Sequence, residues 1–329
     1  MLVSVLLFFT ANKKEKMTFE TIVNNKEQHP IITLKNGSNC NANIYAFGGF
    51  VNAFSIATTD GLLNIIDGFT SVADAMQNTT LAFKGSFLSP FTCRMKEGEF
   101  KFDNKDYKID KFYLTPHAIH GILFDAAYDI INTEANDDKA SVTLQHQYKG
   151  DDKGYPFPFT ITHQWILKLD NCLSVTTTFN HANNRAIPYA QGWHPYFTLG
   201  GLVDDYTLQF DSDTMLEFDE TLVPTDKLVA NSQFEKSASL NRIFLDNCFQ
   251  LNNTIGQSKC TLSKGRISVT IVPDISYPYL QIYTPPHRKS IAIENLSGAP
   301  DCFNNGMGLR LIKPHTTAIF TISYIASAL

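Results

Sequence analysis

Three features of the sequence predict an all-β chain, a large antiparallel β-sandwich. Apolar residues recur at every second position over many short runs, which is the period of a half-buried strand. Asn, Gly and Asp clusters punctuate those runs as turns. Few stretches could be long amphipathic helices, and there is no GxGxxG after a strand, no P-loop and no fixed-period repeat.

Taken in order, Val142, Leu144, His146 and Tyr148 share one face, with Ser141, Thr143, Gln145 and Gln147 on the other. The turn Lys149-Gly150-Asp151-Asp152 follows. Leu173, Val175, Thr177 and Phe179 then oppose Ser174, Thr176, Thr178 and Asn180, ahead of Asn183-Asn184. Ile267, Val269 and Ile271 oppose Ser268 and Thr270. After Asn304-Asn305-Gly306, the alternation returns in Ala318, Phe320, Ile322 and Tyr324. Asn36-Gly37 is a further turn near the start. No linker rich in Pro, Gly or Ser divides the chain, so residues 17–329 read as one domain. One-sided sheets must bury their apolar faces on each other, which makes a sandwich the economical architecture.

At 329 residues the chain can bury a sizeable core. Its net charge of -5 leaves no electrostatic footprint for nucleic acid, since Lys13-Lys14 and Arg288-Lys289 are too short to form a basic patch. Six scattered cysteines (Cys40, Cys93, Cys172, Cys248, Cys260, Cys302) have neither CxxC nor zinc spacing and read as thiols of a reducing compartment. The apolar run Leu2 to Phe9 precedes its lysines, the reverse of a signal peptide, and is too short to span a bilayer. Residues 1–16 are therefore expected to be a leader ahead of Met17 or a short apolar segment. The expected location is cytoplasmic, with no membrane and no nucleic-acid partner.

Chemistry-bearing groups occur in three places. His194 lies in Gln191-Gly192-Trp193-His194-Pro195-Tyr196-Phe197, stiffly held among aromatics, which suits a proton carrier near neutral pH. His117 and His120 lie three apart between Pro116 and Gly121, but a metal site needs a further ligand with recognisable spacing. Glu294 ends the apolar run Ile291-Ala292-Ile293, where a carboxylate costs desolvation unless it has partners or a task. Arg94, Asp246 and Gln281 are polar islands in apolar surroundings. Taken singly, each has a commoner structural reading: a core histidine, a strand-end acceptor, a snorkelling Arg, a turn Asp, an outward-facing Gln. Yet Arg, Asp and Gln can grip sugar hydroxyls, and Trp193 or Tyr196 can cover a sugar's apolar face.

The order of these elements resembles the aldose 1-epimerase (galactose mutarotase) family from about Asn43 to about Tyr324. The resemblance rests on Leu88-Ser89-Pro90-Phe91 with Arg94, Gly98 to Tyr107, His120-Gly121 and Gly192-Trp193-His194-Pro195-Tyr196-Phe197. It continues through Leu245-Asp246-Asn247-Cys248-Phe249, Leu280-Gln281-Ile282-Tyr283 and Ile293-Glu294. It implies the galactose mutarotase-like supersandwich with its site in an open cleft. It also implies His194 as general acid, Glu294 as general base and His120 as the second active-site histidine. Arg94, Asp246 and Gln281 match sugar-binding positions, with Tyr196 lining the cleft. Many members have Asn-Arg and His-Gly-Gly where this chain has Cys93-Arg94 and His120-Gly121-Ile122. These departures bear on the preferred sugar more than on the chemistry.

The activity so implied is interconversion of the α and β anomers of a hexose, by an acid and a base that open and close the ring. It needs no cofactor, metal or covalent intermediate. The partner is a small sugar, and the protein is expected to be a monomer or homodimer. Two other readings stay open: a hexose-phosphate 1-epimerase, with His287, Arg288 and Lys289 supplying a phosphate grip, and a non-catalytic carbohydrate-binding protein.

Overall fold

The structure, a computed structural model, describes residues 18–37, 39–252 and 258–328. The expectation for residues 1–16 lies outside them. Two broad antiparallel sheets dominate. The larger has nine strands in the order Asp129–Ala135, Lys139–Tyr148, Phe159–Lys168, Cys172–Asn180, Thr317–Ala328, Ile267–Pro273, Cys260–Lys264, Thr207–Phe210 and Ala238–Ser239. All four alternating runs read from the sequence fall in this sheet. The second runs Pro224–Ala230, Thr214–Phe218, Asp246–Gln250, Tyr279–Tyr283, Ile291–Leu296, Gly192–Trp193 and Phe87–Leu88, and Tyr196–Phe197 also pairs with Ile291–Leu296. A five-stranded meander, Glu20–Asn24 to Gly61–Asn64, adds a third sheet. The all-β expectation holds.

Alternation explains how the two large sheets meet. In Phe159–Lys168 the inward set is Phe159, Ile161, His163, Trp165 and Leu167, all buried, while Thr160, Thr162 and Gln164 are half-buried on the other face. Trp165 meets Trp193 of the second sheet with ring centroids 5.2 Å apart, and His163 meets Phe87 at 4.4 Å. Trp165 also donates its indole N–H to the Gly49 carbonyl at 2.9 Å, so its one polar atom is paired. Leu280, Ile282 and Ile293 point from the second sheet into this core. The residues between them face the other way, and that face carries the site.

One element is not anticipated by the alternation: an eleven-residue helix, Val72–Ala82. Its signal is the pair Ser71 and Asp74, in which the serine hydroxyl accepts the Asp74 N–H at 3.0 Å as an N-cap. Val72, Ala75 and Thr79 are its buried stripe. Phe83 closes it in the left-handed region (φ 52°) and donates its N–H to Thr79 O at 2.7 Å.

His163 makes the core pH-sensitive. It is completely buried, with Nδ1 3.0 Å from Thr177 Oγ1 and Nε2 3.1 Å from the Tyr128 hydroxyl, and burial pushes its pKa down to about 3. The unfolded chain takes up this proton near its ordinary value of about 6.5. Between those values the unfolded state binds more protons, so stability falls as the pH drops from about 6.5 toward 3, by on the order of 4 kcal/mol. Urea unfolding at a series of pH values checks this. A His163→Gln variant is expected to flatten the slope between pH 6.5 and 5, and an unchanged slope contradicts the assignment.

Candidate active site

The site sits on three neighbouring strands of the second sheet. Their register places Cys248, Gln281 and Glu294 abreast, with Asp246 opposite Tyr283 one step along. Directly opposed residues share a face, so the sheet presents Asp246, Cys248, Gln281, Tyr283 and Glu294 away from the core. The sequence shows this as polar residues set singly between Leu280, Ile282 and Ile293.

His194 reaches the same face from the adjoining segment. Its N–H donates to Ser86 O at 3.0 Å, and its carbonyl accepts the Gly85 N–H at 2.9 Å, so its backbone is held on both sides. Neighbouring residues in an extended segment point oppositely, which sends Trp193 into the core and His194 into the cleft. Trp193 is fully buried against Phe87, His163 and Trp165, so its sequence-level reading as a sugar platform is corrected. Tyr196 is the aromatic of this motif that lines the cleft, stacked on His194 at 5.1 Å with a 26° interplanar angle.

A third piece brings Arg94 and His120. The short strands Arg94–Met95 and His117–Ile119 pair with Ile119 opposite Arg94, and His120 donates its N–H to Cys93 O at 2.9 Å. Cys93 and His120 both occupy the left-handed region, at φ 48° and 62°. Gly121 follows at φ 75°, pressed so closely on Ser89 that an added Cβ would lie 2.2 Å from the Ser89 carbonyl oxygen. This contact ties the Leu88-Ser89-Pro90 and His120-Gly121 motifs together. His117 does not join the site: it is buried, and its Nδ1 accepts the Glu97 N–H at 3.0 Å. The two histidines three apart therefore do not form a metal pair.

These pieces enclose a cleft of about 420 Å³, and Arg94, His120, His194, Tyr196, Asp246, Gln281 and Glu294 all line it. At its floor His194 Nε2 lies 3.3 Å from Glu294 Oε1. Cys93 Sγ is 3.9 Å from Glu294 Oε2, and the His120 and His194 rings meet edge-on at 4.9 Å. Gln281 Nε2 donates to Asp246 Oδ1 at 2.9 Å, leaving Gln281 Oε1 buried without a partner among the described residues. The Arg94 guanidinium makes no hydrogen bond or ion pair among them either, and is free to take a ligand oxygen.

Burial opposes charge on both central groups. It raises Glu294 well above the usual carboxylate range, with the charge of Asp246 adding to the rise, and lowers His194 to about 4. His120 is held well below the usual histidine range by burial and by His194 and Arg94, so it stays neutral. Arg94 acts the other way on Glu294 and Asp246, favouring their ionised forms. The result is a carboxyl and an imidazole positioned to exchange protons with one ligand. Cys93, His120 and Glu294 also place donor atoms within 4.8 Å of one another.

The rim includes residues that no sequence signal singled out. Leu81, Phe83, Phe112, Leu114, Phe218, Pro285 and Pro286 line its outer part, and Lys84 is paired with Asp67 at 2.7 Å. They come from the helix end, from loops and from the ends of the strands Tyr113–Leu114 and Thr214–Phe218, where strand alternation carries little information.

The fold is a β-sandwich whose cleft brings a buried carboxyl and a buried imidazole together, the side-chain types that carry protons in general acid–base chemistry. Residues 30–323 match the aldose 1-epimerase family, and the chain belongs to it, a family of isomerases. The chain is 28% identical over 247 residues to the uncharacterized protein YihR of Escherichia coli K12, covering 71% of this chain and 77% of that one. It is 22% identical over 192 residues to human galactose mutarotase, covering 56% of this chain and about half (53%) of the human protein. Among solved structures, a galactose mutarotase-like protein from Clostridium acetobutylicum superposes with a TM-score of 0.83 at 17% identity, over 96% of this chain and 100% of its own. Galactose 1-epimerase from Lactobacillus acidophilus gives 0.79 at 19% identity, over 95% and 99%. Among the described residues no helix is long and apolar enough to cross a membrane.

Proposed function

We propose that the chain interconverts the anomers of a free hexose such as glucose or galactose, with Glu294 and His194 as the proton-transfer pair. The observation that carries this reading is the 3.3 Å separation of His194 Nε2 and Glu294 Oε1 on the floor of the cleft. The two oxygens of a hemiacetal sit on one carbon, so an acid and a base acting on them must converge this closely.

Glu294 takes the proton from the anomeric hydroxyl as the imidazolium of His194 gives one to the ring oxygen. The bond from the anomeric carbon to the ring oxygen breaks, and its electrons leave with that oxygen. The electrons of the released O–H bond form the carbonyl. Rotation about the adjacent carbon–carbon bond exposes the other face of the aldehyde. On closure His194 recovers its proton from the attacking hydroxyl and Glu294 returns its own. The state after opening is neutral imidazole with a protonated carboxyl, which is the distribution that burial favours. Arg94 and the bound hydroxyl favour the carboxylate before opening. Arg94, Asp246 and Gln281 hold sugar hydroxyls, Tyr196 lines the ring, and neutral His120 donates to or accepts from it.

A phosphate-specific site is less well supported. Of His287, Arg288 and Lys289, only His287 lines the cleft. Arg288 donates Nε to Asp204 at 2.7 Å and its two terminal nitrogens to the carbonyls of Ile243 and Leu240, each at 2.8 Å, so its donors serve the fold. The six cysteines are free thiols, which supports a cytoplasmic location.

The test is anomer exchange of freshly dissolved α-D-glucose and α-D-galactose, followed by NMR. Acceleration well above the spontaneous rate, with no preference for the 6-phosphates, is the expected result. Turnover of sugar phosphates alone replaces the reading with a phosphate-specific epimerase, and no turnover of either leaves a carbohydrate-binding protein.

A further inference from the structure

We propose that Cys93 Sγ, a ring nitrogen of His120 and a carboxylate oxygen of Glu294 form a binding site for a borderline-soft divalent cation, with Zn²⁺ the best match. Thiolate, imidazole and carboxylate are the donors zinc prefers, and three protein ligands with an open fourth position is a common zinc arrangement. The three donor atoms lie within 4.8 Å of one another, and all three residues are buried. Tetrahedral zinc needs ligand atoms roughly 3.3–3.8 Å apart, so the set must close by at most about 1.5 Å. The Cys93–Glu294 pair, at 3.9 Å, is nearly there already.

A second observation points to an unfilled coordination role. His120 is 7% exposed, yet its Nδ1 has no hydrogen-bond partner among the described residues, and its ring packs on Phe83 at 4.6 Å and His194 at 4.9 Å. A buried polar nitrogen left unpaired is expensive, and a metal bound through Nδ1 would satisfy it. The backbone pre-organises the pair, because the His120 N–H is bonded to Cys93 O at 2.9 Å. The charges also balance: thiolate and carboxylate together cancel the dication, and Arg94 is offset by Asp246, which faces the same cleft. Binding expels the thiol proton, and any proton on Glu294, to solvent. The fourth position opens into the cleft.

The assay is titration of chelator-treated full-length protein with Zn²⁺ by calorimetry and with Co²⁺ by absorption. One equivalent is expected to bind, with a thiolate-to-cobalt charge-transfer band and a Zn²⁺-dependent rise in melting temperature. Cys93→Ser is expected to remove the band and weaken Zn²⁺ by about tenfold or more. Cys172→Ser, at a half-buried thiol outside the cleft, is expected to keep both. If Cys93→Ser does not fold, Glu294→Gln is expected to weaken Zn²⁺ by about tenfold or more in the same titration. Absence of binding by the wild type, or an isotherm unchanged by Cys93→Ser and Glu294→Gln, overturns the site. None of these readouts depends on the proposed activity. If that activity holds, Zn²⁺ also inhibits it competitively with sugar, reversibly on adding chelator.

Discussion

Glu294→Gln lowers kcat for anomer exchange by about 10²–10⁴-fold and leaves a folded protein that still binds sugar. The amide keeps the shape of the carboxyl and removes only its ability to carry a proton. Stability is expected to hold or rise slightly, because the carboxyl is 2% exposed and its charged form is the one burial disfavours. His194→Asn is expected to lose activity to a similar extent. In the proposed mechanism the two groups act on one sugar in one proton relay, so the double variant should be little worse than either single one. Single-turnover rates, KM and circular dichroism of the three variants check this. Near-normal rates in both single variants would show that neither group carries the proton.

Four strands of the nine-stranded sheet, and the sandwich class, were legible in the sequence because a strand with one buried face must alternate. Glu294, Gln281 and Asp246 were legible for a related reason. Gln281 and Glu294 are polar residues on the open face of strands whose other face, Leu280, Ile282 and Ile293, is core, and Asp246 lies on a strand whose other face buries Phe249. That is visible as a polar island, though its company is not. Convergence depends on register: Gln281 opposes Glu294 across a strand pair, and no spacing in the chain announces it. Trp193 shows the opposite limit, since neighbouring aromatics in one motif face opposite sides, and only the packing shows which one reaches the cleft. His117 is a third case, a histidine used to accept a loop N–H. The apolar rim was the least legible part. It is built from the end of a capped helix, from loops and from strand ends, whose positions follow from long-range contacts rather than from local pattern.

Gly121→Ala should be the most damaging change of a single methyl in the site, and Gly200→Ala shows why by comparison. The two glycines share nearly the same left-handed backbone, at φ 75° and 77°. At Gly200 an added Cβ meets nothing within 4 Å, so the substitution carries only the conformational penalty, about 1 kcal/mol. At Gly121 the same Cβ falls 2.2 Å from the Ser89 carbonyl oxygen and 2.5 Å from its carbonyl carbon and nitrogen. Those are backbone atoms, and they cannot rotate aside. The Ile122 N–H also donates to Ser89 O at 2.7 Å, so relief of the clash breaks that bond or moves His120. The expected loss is about 3 kcal/mol or more, read by urea unfolding, together with a fall in activity greater than that of Gly200→Ala. Equal losses in the two variants would mean that only backbone conformation matters at Gly121. The close approach to Ser89 would then not be what positions His120 against the cleft.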